Sequence, residues 1–265
     1  MTTVESGTER ILARKEGAVG WLTFNNPERR NAVSVDMWEA IPRVLGAYQA
    51  DPEIRAVVLT GAGDKAFVSG ADISQFDKQR SSQEAVQHYE EIAEGAQRAI
   101  LTCDKPVIAR IRGFCIGGGL NIANCCDLRI ASDDSRFAIP AAKMGLGYRG
   151  SSMKMLVDAV GPAFAREIML TARQFTAAEA KDMGLLHKVT TVDGLDAAVR
   201  EYCDMIAANA PLTMRASKRI IREVSRATYD EAMCKALVKE CMESEDYKEG
   251  RKAFMEKRKP AFKGR

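Results

Sequence analysis

The stretch GFCIGGGLNIANCCDLRIAS, residues 113–132, joins a glycine-rich turn to a segment that suits a helix. It follows the strand-like run KPVIARIRG. The three consecutive glycines, Gly117 to Gly119, indicate a main chain that approaches a ligand closely, because glycine has no side chain in the way. The next residues, Leu120 and Asn121, are neither acids nor nucleophiles. Any chemistry at this turn therefore has to use the main chain or residues from elsewhere.

A second glycine turn lies earlier in the chain, in KAFVSGADISQF at residues 65–76. A helix-compatible segment follows this turn as well. Two turns of this kind can direct two backbone N–H groups at one point, which makes an oxyanion hole that needs no special side chain. Either turn alone is a weak signal, but the combination is specific.

Composition and charge narrow the class of protein. The 265 residues suffice for one large domain or two small ones. Lys plus Arg number 39 and Asp plus Glu 36, a balance that disfavours nucleic acid or a membrane surface as the main partner. The seven cysteines form no C-x-x-C pair, which indicates buried thiols rather than disulfides or a zinc site. No long apolar run is present. We therefore expect a cytoplasmic protein without a metal.

The order of predicted elements indicates an α/β core followed by helices. Two strands surround a turn in ILARKEGAVGWLTFN, and Ser34 is placed to cap a helix that runs to about Gln49. Further strands are expected in RAVVLTGAG, AFVSGAD, KPVIARIRG, DLRIASDDSRFAIP and LLHKVTT. Almost everything from Ser151 onward otherwise has helical character. We expect a core over residues 1–190 and a helical C-terminal region over residues 191–265.

Two other motifs compete with the oxyanion-hole interpretation. GAGDKA, residues 61–66, fits a dinucleotide-binding turn, but a β-like segment follows it where that fold requires a helix. GFCIG would place Cys115 in a nucleophile elbow, and such a thiol needs a histidine base. The chain has only His88 and His187, and His187 is expected to be a structural strand residue. A cysteine hydrolase is therefore a minor alternative.

The chain resembles the crotonase, or enoyl-CoA hydratase/isomerase, superfamily nearly from end to end. The stretches that carry the resemblance are NNPERRNA, VVLTGAGDKAFVSGADI, KPVIARIRGFCIGGGLNIANCCDLRIAS, FAIPAAKMGLGY, QFTAAEAKDMGLLHKV and EGRKAFMEKRKPAF. The resemblance implies a spiral of ββα units with a helical C-terminal trimerisation region. It also implies an acyl-CoA thioester as substrate, an enolate held by two backbone amides, and a homotrimer or dimer of trimers.

The resemblance assigns roles to residues by position. The oxyanion-hole amides would be those of Ala71 and Gly118. The CoA moiety would lie along the segment from Ala71 to Ser74, with Arg29 or Arg30 near its phosphates. The complete set of implied CoA-binding residues is Arg29, Arg30, Ala32, Ala71, Asp72, Ile73, Ser74, Gly117 and Gly118, with Phe254 and Lys257 reaching the CoA of a neighbouring subunit.

By this resemblance, three positions that carry acidic residues in members of the superfamily carry other residues in this chain. Its hydratases use two glutamates to hold and activate water, and the corresponding residues here are Asn121 and Ala141. A third position, an aspartate in some dienoyl isomerases and aromatic dehalogenases, is Arg149. Water addition needs a group that takes and gives a proton, and neither an amide nor a methyl group does so. The usual two-glutamate hydration is therefore not expected.

Decarboxylation of a malonyl-type CoA is one remaining reaction, because expulsion of CO₂ yields the enolate without a base. Arg149 would pair with the carboxylate, and Tyr148 or a water would return the proton.

Hydration or isomerisation stays open with a base from a helix over the pocket: Glu84, Glu90, Glu91 or His88. A non-catalytic acyl-CoA-binding or RNA-binding member is a third alternative, although the near-neutral charge disfavours RNA. Asp72 is expected to cap a helix rather than act as a base, and Asp127 to be structural.

Overall fold

The structure, a computed structural model, describes residues 2–72 and 83–265, and the side chains of all of these except residues 83–86. The strands are β1 Thr2–Val4, β2 Ile11–Glu16, β3 Val19–Phe24, β4 Ala56–Gly61, β5 Ala66–Val68, β6 Val107–Ile111, β7 Phe114–Ile116, β8 Leu128–Ser132, β9 Arg136–Ala138, β10 Phe175–Thr176 and β11 Lys188–Thr190. The α-helices are α1 Val35–Ala50, α2 Gln83–Thr102, α3 Gly118–Cys125, α4 Gly150–Thr171, α5 Ala177–Asp182, α6 Leu195–Ala207, α7 Pro211–Val224, α8 Glu231–Glu243 and α9 Glu245–Met255. Two short 3₁₀ helices cover Pro27–Arg29 and Pro140–Met144.

The strands form two sheets. The larger has seven strands in the order β1-β2-β3-β4-β6-β8-β11, antiparallel from β1 to β3 and parallel from β3 to β11. The smaller has four strands in the order β10-β9-β7-β5, of which β5, β7 and β9 are parallel. Strands β4, β6 and β8 of the larger sheet each precede a short strand of the smaller one.

This alternation repeats along the chain as ββα units. The pairs β6–β7 and β8–β9 are followed by α3 and α4, and the pair β4–β5 precedes α2. Because β5 and β7 pair in parallel, the chain leaves both strands at the same edge of the small sheet. The expected α/β spiral of ββα units is confirmed, and it brings the two glycine turns together.

The hydrophobic core lies in two layers on either side of the large sheet. The main cluster joins the sheet to α1, α2, α3 and α4, with Trp38, Phe24 and Phe67 fully buried. A smaller cluster packs Leu195 and Val199 of α6 against the other face. The division at residue 190 stays a prediction. Helix α6, although it follows residue 190, packs against the sheet.

The C-terminal helices are joined to the core by ion pairs. Lys218 of α7 lies 2.5 Å from a carboxylate oxygen of Asp127, which also accepts a hydrogen bond from the Val107 amide. Arg219 pairs with Asp104 at 2.8 Å. Asp127 is thus the structural acid that the sequence indicated. None of the described helices is long and apolar enough to cross a membrane.

The prediction that the Ser34 hydroxyl caps α1 is wrong. Ser34 occupies the N-cap position with extended backbone angles, but its hydroxyl makes no capping bond and donates to the Asp36 carboxylate instead. A cap needs the hydroxyl oxygen to accept a hydrogen bond from a helix N–H. Here that oxygen accepts a bond of 3.4 Å from Arg10, while the charged Asp36 carboxylate holds its proton. Three strands, β1, β7 and β10, were also missed by the sequence analysis.

Gly119 is one of the positions where the fold tolerates no side chain. A Cβ atom there would lie 2.1 Å from the backbone oxygen of Val68, because α3 packs directly on β5. We expect Gly119→Ala to lower the free energy of unfolding by about 1–3 kcal/mol, as overpacking does. Urea unfolding followed by circular dichroism measures this change.

Gly46→Ala is the matched control, because a Cβ atom at Gly46 of α1 meets nothing within 4 Å. The control is expected to raise the free energy of unfolding by about 0.5–1 kcal/mol, since alanine favours a helix interior. Equal effects of the two substitutions would contradict the close packing of α3 on β5.

Candidate active site

A cavity of about 190 Å³ opens where the ends of the small sheet face α2 and α4. One side is formed by the two glycine turns, including Gly70, Ala71, Gly117 and Gly118. The opposite set of lining residues comes from two helices and is called the α2–α4 wall: Tyr89, Glu90, Ala93, Gln97, Arg149 and Ser152. Asn121, Ala141 and Tyr148 also line the cavity.

The amides of Ala71 and Gly118 are neighbours in this cavity. A Cβ atom placed on Gly118 would lie 3.6 Å from the Ala71 nitrogen, and one on Gly70 would lie 4.0 Å from the Gly118 nitrogen. Within the described chain, neither amide donates to any of the backbone acceptors identified. Two unpaired N–H groups side by side can hold one anionic oxygen.

Hydrogen bonds on either side of these amides fix both turns. Gly70 accepts a bond of 2.8 Å from the Val33 amide, and Asp72 donates back to Val33 at 3.0 Å. The Gly117 amide donates to Ala138 at 2.8 Å. Gly70 and Gly117 both have positive φ, at 119° and 54°, which glycine adopts without strain. These bonds fix the main chain on either side of the Ala71 and Gly118 amides, with Gly118 at the positive end of α3.

A tyrosine–asparagine pair lies beside the amides. Asn121 follows Gly118 by three residues, so both lie on one face of α3. Its side-chain oxygen accepts a hydrogen bond of 2.5 Å from the Tyr148 hydroxyl. Burial raises the pKa of Tyr148, and the bond to Asn121 lowers it only in part. The phenol is therefore neutral, and its proton is directed at Asn121.

Arg149 provides a positive charge on the α2–α4 wall. Its Nη1 donates a bond of 3.1 Å to the backbone oxygen of Glu90. Among the described residues, no carboxylate forms an ion pair with Arg149. Of the described residues in the cavity wall, Glu90 alone carries a carboxylate. The side of the cavity next to Tyr148 can therefore accept an anion.

The other predicted substitutes for a glutamate base lie elsewhere. Glu91 and His88 are exposed, and neither lines the cavity. Glu91 accepts a hydrogen bond from Gln87 on the same helix. The side chain of Glu84 lies outside the described residues.

The structure describes the contacts of some of the residues that the resemblance implies in CoA binding. Arg29 forms an ion pair of 2.9 Å with the buried Asp72, and Arg30 stacks its guanidinium 5.1 Å from the Phe114 ring centre. Ala32 is buried next to them. Ile73 and Ser74 lie outside the described residues, so the predicted CoA contact along this segment remains a prediction.

Phe254 and Lys257 lie at the end of α9 and just beyond it, and both are exposed. Neither lines the cavity of this chain. Their predicted contact with a neighbouring subunit's CoA stays a prediction.

The cysteine hydrolase alternative is disfavoured by the environment of its two key residues. Cys115 is fully buried, and burial raises the pKa of its thiol, so the reactive thiolate is not available. The His187 Nδ1 accepts a hydrogen bond of 3.1 Å from the Arg129 amide. Partial desolvation of the ring and the nearby Arg129 charge lower the pKa of His187 to about 4, although the residue as a whole is exposed. His187 is thus a structural residue, as predicted.

Several cavity residues were not singled out from the sequence. Gln97 and Ser152 belong to the α2–α4 wall, and Trp38 donates a bond of 3.1 Å to the Tyr89 hydroxyl there. The spacing of Glu90, Ala93 and Gln97 would have placed them on one helix face, but it does not say what that face covers. Within the described residues, no group of three or more potential ligands could hold a metal ion.

The model of the enoyl-CoA hydratase/isomerase family matches residues 14–265. The protein belongs to this family. It is 36% identical over 258 residues to the short-chain-enoyl-CoA hydratase of Clostridium acetobutylicum, with 96% of this chain and 98% of that protein covered. It is 34% identical over 284 residues to the peroxisomal Δ(3,5)-Δ(2,4)-dienoyl-CoA isomerase of Arabidopsis thaliana, with 98% and 99% covered.

Solved structures agree with the family assignment. A putative enoyl-CoA hydratase/isomerase family protein from Hyphomonas neptunium has a TM-score of 0.94 to this structure at 36% identity. The similarity covers 98% of this chain and 100% of that one. The crotonase-like fold is therefore confirmed, while the names of the relatives span more than one reaction.

Proposed function

We propose that the protein acts on an acyl-CoA thioester and stabilises its enolate with the amides of Ala71 and Gly118. The two unpaired N–H groups in one cavity carry this proposal, because the thioester oxygen becomes negative as the enolate forms. The names of the hydratase and isomerase relatives, both CoA-thioester enzymes, support the substrate class.

The residues beside the amides argue against two-glutamate hydration. By the sequence resemblance, Asn121 and Ala141 stand where hydratases carry their glutamates. Asn121 is a neutral amide whose oxygen is engaged by Tyr148, and Ala141 has only a methyl group. Neither can accept a proton from water. The proposal is therefore an enolate-forming reaction other than the usual hydration.

Decarboxylation of a malonyl-type CoA fits these residues best. The bond between the α-carbon and the carboxylate breaks, its electron pair enters the enolate, CO₂ leaves, and the α-carbon then takes a proton. Arg149, which has no described carboxylate partner, would hold the substrate carboxylate. Water, or Tyr148 after its bond to Asn121 breaks, would supply the proton.

Hydration or isomerisation with Glu90 as base is the second candidate, because Glu90 lines the cavity. A binding protein without turnover would keep the same amides and is an outcome of the tests below. We also propose a homotrimer or dimer of trimers, supported by the exposed apolar residues Met242, Phe254 and Met255 on the C-terminal helices.

Gly118→Pro removes one proposed oxyanion donor at the first position of α3, where proline suits the backbone. We expect the rate of malonyl-CoA decarboxylation, measured as CO₂ release, to fall about 100- to 1000-fold, as it does when other enzymes lose such a donor. Gly118→Ala is the matched control, because it keeps the N–H and places its Cβ in ordinary contact, 3.6 Å from the Ala71 nitrogen. Equal losses in both variants would contradict the role of the amide.

Arg149→Gln removes the positive charge near Tyr148. We expect binding of malonyl-CoA to weaken about 10- to 100-fold, because a hydrogen bond to a charged group is lost. Binding of butanoyl-CoA, which has no carboxylate on its acyl group, should not change. Isothermal titration calorimetry with both ligands measures this difference, with Arg149→Lys as the charge-preserving control. An equal effect on both ligands would contradict the assignment of Arg149 to the substrate carboxylate.

A further inference from the structure

The α2–α4 wall contains two buried polar side chains without described partners. Ser152 is 3% exposed, and its hydroxyl oxygen makes no hydrogen bond with the described residues. Gln97 is 8% exposed, and its amide forms no hydrogen bond within the described chain, although, unlike the Ser152 hydroxyl, its polar atoms are not fully buried. Both side chains line the cavity that holds the Ala71 and Gly118 amides.

The polar groups near Ser152 and Gln97 have hydrogen-bond partners, whereas these two side chains do not. Ser151, the residue before Ser152, donates a hydrogen bond of 2.8 Å to the Glu94 carboxylate. Arg149 donates to the Glu90 backbone oxygen, and the Trp38 indole donates to Tyr89. Among the described lining residues, the Ser152 hydroxyl is the one fully buried side-chain polar atom without a partner.

An unpaired buried hydroxyl or amide is unfavourable, because it has lost its hydrogen bonds to water. A plain hydrocarbon chain in this cavity would leave Ser152 and Gln97 without partners. A neutral oxygen on the acyl chain would pair with them, since a serine hydroxyl and a glutamine amide each donate and accept. The α2–α4 wall therefore favours an acyl group that carries a neutral oxygen over a plain hydrocarbon chain.

We propose that the acyl group of the substrate carries a hydroxyl or ketone oxygen that binds Ser152 and Gln97. This inference rests on the proposed function, in which the cavity receives an acyl-CoA thioester. It adds two specificity-determining residues to that site, and it separates their role from that of Arg149, which receives a negative charge.

Binding of hexanoyl-CoA and of its 4-, 5- and 6-hydroxy forms, measured by calorimetry, tests the proposal. We expect at least one hydroxy form to bind the unmodified protein about tenfold more tightly than hexanoyl-CoA does, the effect of one added hydrogen bond in a buried site. Ser152→Ala should abolish that preference, and hexanoyl-CoA should bind at least as tightly as before, because no buried hydroxyl is then left without a partner. Gln97→Met, which keeps the side-chain length, should reduce the preference.

Ser151→Ala is the matched control, because its hydroxyl binds Glu94 and not the cavity. This variant should keep the full preference. Three results would overturn the inference: no hydroxy form binding more tightly than hexanoyl-CoA, a preference that survives Ser152→Ala, or a preference lost equally in Ser151→Ala. If hexanoyl-CoA itself binds, the proposed function stands despite any of these results. If no CoA thioester binds at all, both the inference and the proposed function are wrong.

Discussion

Parallel pairing of β5 with β7 is the constraint on which the site depends. The two strands end at the same edge of the small sheet, so the turns that follow them leave in the same direction. Only that arrangement brings the Ala71 and Gly118 amides next to each other, since the two residues are far apart in the chain. Gly119 maintains it by allowing α3 to pack on the Val68 backbone. The proposed binding of an anionic oxygen would thus depend on the main chain rather than on any side chain.

Side chains decide what this main-chain site can do. The Tyr148 hydroxyl is bonded to Asn121, so the polar group nearest to the amides on α3 is neutral and already paired. Arg149 and Glu90 supply the two charges among the described lining residues. Ser152 and Gln97 supply neutral partners on the same wall. The cavity in which we propose that an enolate is stabilised is therefore surrounded by groups that suit hydrogen bonding to substrate oxygens better than activation of water.

The sequence predicted the parts of the fold that depend on local pattern. Glycine turns after strand-like runs located both halves of the anion site, because positive φ and close backbone approach leave a clear signature. The Tyr148–Asn121 bond and the Gln97 and Ser152 side chains depend on how α2, α3 and α4 pack, which no local pattern encodes. The same holds for β10, Phe175–Thr176, which is a strand only because it pairs with β9. The Ser34 hydroxyl donates to Asp36 and accepts from Arg10 rather than from a helix N–H, and the Arg10 contact joins residues far apart in the chain.

An assay for hydration of crotonyl-CoA tests most directly whether the proposed oxyanion hole, with Asn121 and Ala141 beside it, can add water. The loss of the enoyl-thioester absorbance measures the reaction. The account predicts that the protein binds crotonyl-CoA and does not hydrate it. Efficient hydration would contradict the account. Loss of that activity in Glu90→Gln would then identify Glu90 of α2 as the base and would assign hydratase activity to the protein.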